Sequence, residues 1–159
     1  MSDHHVRIAH HAVARGNARL VAIGLGSCVA VTLYDPRQRV GGLAHVLLPD
    51  PSVARDASNP GRFASEAVPM LLEGLRAQGG RPPFVAKIAG GAALFGQLLG
   101  SSTGQMGERN VVATRAALAR AGIPIVAEDT GGNGGRSITF DVATGDLTVR
   151  GVRGGQRVL

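Results

Sequence analysis

Cys28 and His45 are the two side chains of this chain best suited to covalent chemistry. A thiolate is a strong nucleophile, and an imidazole within hydrogen-bond reach can generate one near neutral pH. Residues 29–34 read as a β-branched, apolar strand that ends at the turn signal Asp35-Pro36. Residues 40–48 read as the next strand, closed by Pro49. A symmetric hairpin turning on Asp35-Pro36-Arg37-Gln38 sets Cys28 directly opposite His45. Opposed Cβ atoms on one face of a sheet lie about 4.5–5.5 Å apart, close enough for a thiol–imidazole pair. A slip of one residue would send one partner to the other face. Gly24-Leu25-Gly26-Ser27 precedes the cysteine, and its glycines allow backbone N–H groups to turn toward a bound carbonyl, as an oxyanion hole requires. Both residues also have plainer readings. A lone cysteine packs as a small hydrophobe, and a strand histidine can be a bonded core residue.

Other groupings carry less. Gly24-Leu25-Gly26 opens a dinucleotide-type fingerprint, but Val29 stands where its last glycine is needed. Lys87 lacks the glycine-rich context of a phosphate-binding loop. Gly90-Gly91 and residues 131–135 read instead as tight turns or close backbone approaches. His4, His5, His10 and His11 resemble a metal cluster only in number, for no thiol or carboxylate accompanies them as a set. They read as an exposed terminus, and no metal or organic cofactor is expected.

Composition narrows the class. The chain has 159 residues, enough for one domain with a sizeable core. A single cysteine excludes an internal disulfide and a cysteine-rich zinc site. No run of about 18 apolar residues is present, so no transmembrane helix is expected. With no signal-peptide pattern either, a cytoplasmic protein that does not insert into membranes is the expectation. The 17 Lys+Arg, of which only Lys87 is lysine, outweigh 11 Asp+Glu and give a net charge of +6. Such a balance suits an anionic partner. Nucleic acid is not expected: the arginines are scattered, and the five aromatic residues (Tyr34, Phe63, Phe84, Phe95, Phe140) are too few for a base-stacking platform.

The elements that must position the pair follow from pattern. Residues 6–14 and 20–24 read as strands around the turn Arg15-Gly16-Asn17. Residues 61–78 carry a helical stripe of Ala64, Val68, Leu71, Leu72 and Leu75, with Pro69 predicting a kink or a later start. Residues 84–89 read as a strand, 92–99 as a short helical turn and 108–121 as a second helix. Strands follow at 123–128, 137–142 and 147–152. Many strands with two longer helices make an α+β domain. Residues 1–5 are expected to be a flexible extension of a single domain spanning 1–159.

The segment Gly24-Leu25-Gly26-Ser27-Cys28-Val29-Ala30-Val31, with Gly42-Leu43-Ala44-His45-Val46-Leu47-Leu48-Pro49, resembles the chemoreceptor glutamine deamidase family, CheD. Further similar motifs follow in order: Ala86-Lys87-Ile88-Ala89-Gly90-Gly91-Ala92, Gly107-Glu108-Arg109-Asn110-Val111, Ala127-Glu128-Asp129-Thr130-Gly131-Gly132-Asn133, Arg136-Ser137 and residues 145–150. The resemblance implies a layered α/β/β/α sandwich with mixed sheets, similar to toxin-type cysteine deamidases. It implies hydrolysis of glutamine side chains to glutamate in the signalling helices of chemotaxis receptors, tuning adaptation. Carried onto matching positions, Cys28 is the nucleophile and His45 the base. The family's third catalytic position is a threonine six residues before the cysteine; here it is Ala22. The resemblance then leaves orientation of His45 to main chain near Ala22 or to Ser27, Thr130 or Ser137, with Ser27 also at the oxyanion site. It also implies a CheC-type chemotaxis phosphatase as partner, so a regulator without chemistry is the alternative. An amidase or thioesterase with another substrate is a third reading.

Overall fold

A computed structural model describes residues 2–93 and 101–159. Its described residues form ten strands and two α-helices: β1 (Ser2–His5), β2 (His11–Arg15), β3 (Ala18–Leu25), β4 (Val29–Asp35), β5 (Val40–Val46), α1 (Ala64–Ala77), β6 (Val85–Gly90), α2 (Ser101–Arg120), β7 (Ile125–Thr130), β8 (Arg136–Asp141), β9 (Leu147–Gly151) and β10 (Gln156–Val158). The expected helical turn at 92–99 falls for the most part outside the described residues.

The strands build two mixed five-stranded sheets, ordered β1-β3-β8-β9-β10 and β2-β5-β4-β6-β7. Each has one parallel pair, β1 with β3 and β6 with β7, and is otherwise antiparallel. β4 and β5 are buried along their whole length, as strands covered on both faces must be. One face, with Val29, Val31, Leu33, Ala44 and Val46, packs under Val68, Leu71 and Leu75 of α1 and Leu118 of α2. The other, with Ala30, Tyr34 and Leu43, meets Leu20, Ala22, Ile138, Phe140 and Leu147 of the first sheet. The α+β layered sandwich expected from the sequence is therefore present. Both helices pack on the second sheet, so among the described residues the order is helices, sheet, sheet, without the outer helical layer of the α/β/β/α expectation.

α1 starts at Ala64, after a 3-10 turn at Pro60–Arg62, and Pro69 faces solvent within it. No helix among the described residues is long and apolar enough to cross a membrane. The main departure from expectation lies at the N-terminal end. Residues 2–5 are not a free extension but a strand, and the single strand expected over 6–14 is broken. β1 belongs to one sheet and β2 to the other, and residues 6–10 cross between them. The crossing turns at Ala9, whose φ of 69° lies in the left-handed region. An alanine carries no sequence signal for such a turn, which is why a continuous strand was expected there.

Candidate active site

The β4–β5 hairpin differs in register from the symmetric turn. Asp35 pairs with Val40, leaving four residues in the loop, and Ala30 rather than Cys28 sits opposite His45. Two features lengthen the loop. The Asp35 carboxylate accepts the N–H groups of Arg37 and Gln38, at 2.9 and 3.2 Å, and Arg39 takes a left-handed φ of 51°. The displacement is two residues, so the side-chain alternation is kept. Cys28 and His45 still share the face turned toward the first sheet, as diagonal rather than direct neighbours. Such diagonal positions are about 7–8 Å apart in the backbone, within reach of long or aromatic side chains.

His45 is 2% exposed and held on three sides by the crossing segment. The carbonyl oxygen of Val6 lies 3.1 Å from its Nδ1. Its own carbonyl accepts the Ala9 N–H at 2.8 Å, and its N–H donates to the His10 carbonyl at 3.1 Å. A carbonyl can only accept, so Nδ1 carries the proton and Nε2 is left as a lone-pair acceptor. That Nε2 is buried and has no hydrogen-bond partner among the described residues. Val6 is itself anchored by its N–H to the Val21 carbonyl, at 2.7 Å. The group that orients the imidazole is thus the main chain of Val6. It is not that of Ala22, which pairs with Ile138 in the first sheet. Ser137 and Thr130 are also occupied elsewhere: the Ser137 hydroxyl accepts the Gly24 N–H at 3.2 Å, and Thr130 donates to Glu128 at 2.9 Å.

Cys28, 6% exposed, stands at the mouth of β4. Its carbonyl accepts the Gly91 N–H at 2.8 Å, and the Gly26 carbonyl accepts that of Ala92 at 2.9 Å. Gly90 passes so close that a Cβ there would lie 2.3 Å from the Cys28 carbonyl oxygen, and its φ is 110°. Only glycine fits that approach. From the other side of the sheet, Asn110 of α2 donates through Nδ2 to the carbonyls of Ser27 and Leu47, both at 2.9 Å. It thereby joins the residue before the cysteine to the residue two beyond the histidine. Arg136 braces Gly90 from β8, donating to the Gly90 carbonyl at 2.7 Å and the Asp129 carbonyl at 2.9 Å. Ser27 is half-buried, and its backbone N–H donates to no backbone group among the described residues.

The sequence reading did not assign roles to Val6, Asn110 or Arg136. Asn110 left a usable signal: with Thr114, Ala117 and Leu118 it lies on the buried stripe of α2, where a fully buried amide needs a partner. Val6 left none, since every residue carries a carbonyl.

Burial sets the protonation states. It pushes the Cys28 thiol above the ordinary 9.0, with the residue's own N–H pulling weakly the other way. It holds the His45 imidazole below the ordinary 6.5, against the opposing pull of the Val6 carbonyl. The resting pair is therefore a neutral thiol beside a neutral imidazole.

A family model described as CheD chemotactic sensory transduction matches residues 47–151. The chain is 49% identical over 150 residues to the "Probable chemoreceptor glutamine deamidase CheD 2" of Geobacter metallireducens, covering 93% of each chain. It is 46% identical over 149 residues to a protein of Moorella thermoacetica named "Probable chemoreceptor glutamine deamidase CheD", covering 91% of this chain and 88% of that one. A protein of the same name from Desulforamulus reducens is 42% identical over 146 residues, with the same coverage. The family model over residues 47–151 and these relatives show that the chain belongs to the CheD family.

Proposed function

We propose that this protein hydrolyses glutamine side-chain amides in the cytoplasmic signalling helices of chemoreceptors to glutamate and ammonia, with Cys28 as nucleophile and His45 as general base. The observation that carries the proposal is the free, buried Nε2 of His45, its tautomer set by Val6, on the same sheet face as Cys28. The relatives' names supply the substrate class.

Nε2 accepts the thiol proton as Sγ bonds to the glutamine δ-carbon. The oxyanion that forms is met by the Ser27 N–H, which donates to no backbone group among the described residues. The imidazolium passes its proton to the amide nitrogen, the C–N bond breaks and ammonia leaves, so a thioester remains on Cys28. Nε2 then takes a proton from water, hydroxide adds to the thioester, and the thiolate departs and is reprotonated. In the free protein the Sγ–Nε2 hydrogen bond is not formed; contacts of this kind commonly tighten only with substrate bound.

Release of ammonia from a receptor cytoplasmic fragment tests the reading. His45→Gln, which preserves much of the side-chain shape, is expected to slow release by about 10²–10⁴-fold, the usual worth of a positioned base. An undiminished rate would remove His45 from the mechanism.

The raised Cys28 thiol favours a second reading, in which the chain acts as a binding partner of a CheC-type phosphatase and the thiol stays idle. Slow alkylation of Cys28 both with and without receptor fragment, together with tight phosphatase binding, decides for it.

A further inference from the structure

The glycine-rich loop at 131–135 and the β9–β10 turn at 152–155 frame a cleft of about 410 Å³ that neither Cys28 nor His45 lines. Three arginines reach it from different elements: Arg136 from the start of β8, Arg153 from the turn and Arg157 from β10. Among the described residues that line it, Asp129 is the one carboxylate. Its two oxygens lie 3.5 Å from Arg136 Nε and 3.5 Å from Arg157 Nη1, longer than the roughly 2.7–2.9 Å of a full charge-assisted bond. Arg153 is exposed and takes part in no ion pair among the described residues. Positive charge therefore exceeds negative in the cleft by two. The main chain adds donors. The N–H groups of Gly132, Asn133, Gly134 and Gly135 in one loop, and of Arg153 and Gly155 in the other, donate to no backbone acceptor among the described residues. Gly134 has no left-handed φ, and a Cβ built on it would meet nothing within 4 Å. Neither turn geometry nor packing calls for glycine there; the close approach of a ligand to bare main chain does.

We propose that this cleft binds a phosphate group as its dianion, free or as the monoester of a small molecule. Guanidinium forks and converging backbone N–H groups are the donors that recognise phosphate oxygens. A phosphate monoester carries about −1.5 to −2 at pH 7, which matches the excess of positive charge; a single carboxylate leaves one cation unmatched. The volume falls in the range of about 300–1,000 Å³ that suits a small organic ligand, so an esterified group has room beside the phosphate. The site lies apart from Cys28 and His45 and does not rest on the deamidase reading.

Isothermal titration of the full chain with inorganic phosphate and with glycerol 3-phosphate, at low salt, tests the proposal. Replacing both exposed cleft arginines, Arg153→Ala with Arg157→Ala, is expected to weaken binding about tenfold or more, as for charge-assisted contacts to an anion. Arg76→Ala with Arg120→Ala removes the same charge at exposed positions on the two helices and is expected to keep the parent affinity. Affinity for the ester should rise as pH climbs through about 6, where the monoester gains its second charge, and should fall with added salt. Tighter binding of glycerol 3-phosphate points to a small-molecule monoester, and tighter or equal binding of inorganic phosphate to the free ion; either upholds the site. Binding of neither by the parent, parent affinity in the cleft variant, or an equal loss in both double variants would overturn it.

Discussion

The Val6 carbonyl oxygen lies 3.1 Å from Nδ1 of His45, and the two residues belong to different sheet systems: Val6 to the segment that leaves β1, His45 to the middle layer. That contact makes the N-terminal strand part of the site. It also answers a question raised by Ala22, which offers no hydroxyl where the family resemblance leads one to expect a threonine.

Ala22→Thr is accordingly expected to bring no gain in kcat. Ala22 is fully buried between the sheets, so the larger side chain overpacks the core at a cost of about 1–3 kcal/mol. Urea midpoints measure the loss and initial rates the absence of gain; a clear rise in kcat would show that Val6 orients His45 poorly.

Asn110→Ala removes two hydrogen bonds and leaves the Ser27 and Leu47 carbonyls short of a donor. A loss of about 1–3 kcal/mol is expected by chemical denaturation. Because the amide joins the main chain beside both site residues, kcat should fall more than KM rises. An unchanged kcat would reduce Asn110 to a stabilising residue.

Gly90→Ala places a methyl against the Cys28 carbonyl at a left-handed φ. Expected outcomes are a loss of several kcal/mol, beyond the roughly 1–2 kcal/mol of the backbone conformation alone, and altered Cys28 alkylation. Parent-like stability would contradict the close approach.

Protonation gives a pH signature. With the thiol pushed up by burial, iodoacetamide alkylation of the free protein should keep rising as pH climbs past 9.0, without a plateau near neutrality. With His45 held below 6.5, its base form persists as pH falls through that value, and deamidation should decline only at lower pH. The sign for stability follows from linkage. The depressed His45 contributes stability that is fully present above the unfolded value of about 6.5 and is lost as pH falls through the folded value. Denaturation midpoints of the parent and His45→Gln across that range measure it, and parallel curves would contradict it.

Much of this arrangement was legible in the sequence. A β-branched apolar run and the Asp35-Pro36 and Pro49 signals located β4 and β5, the stripe ending at Leu75 located α1, and ordered motifs pointed to Cys28 and His45. What escaped has physical causes. The register moved by two because Arg39 adopts a left-handed conformation that arginine does not advertise. The β1–β2 break is hidden by Ala9 for the same reason. The partner of Nδ1 is a main-chain carbonyl, a group common to all residues, which tertiary crossing alone brings to His45.

The central claim is that Cys28 attacks a receptor glutamine. Intact-mass and peptide mapping of a receptor cytoplasmic fragment, incubated with the parent and with Cys28→Ala, tests it most directly. Glutamine-to-glutamate conversion at selected sites is expected with the parent and none with Cys28→Ala; equal conversion by both would contradict attack by Cys28.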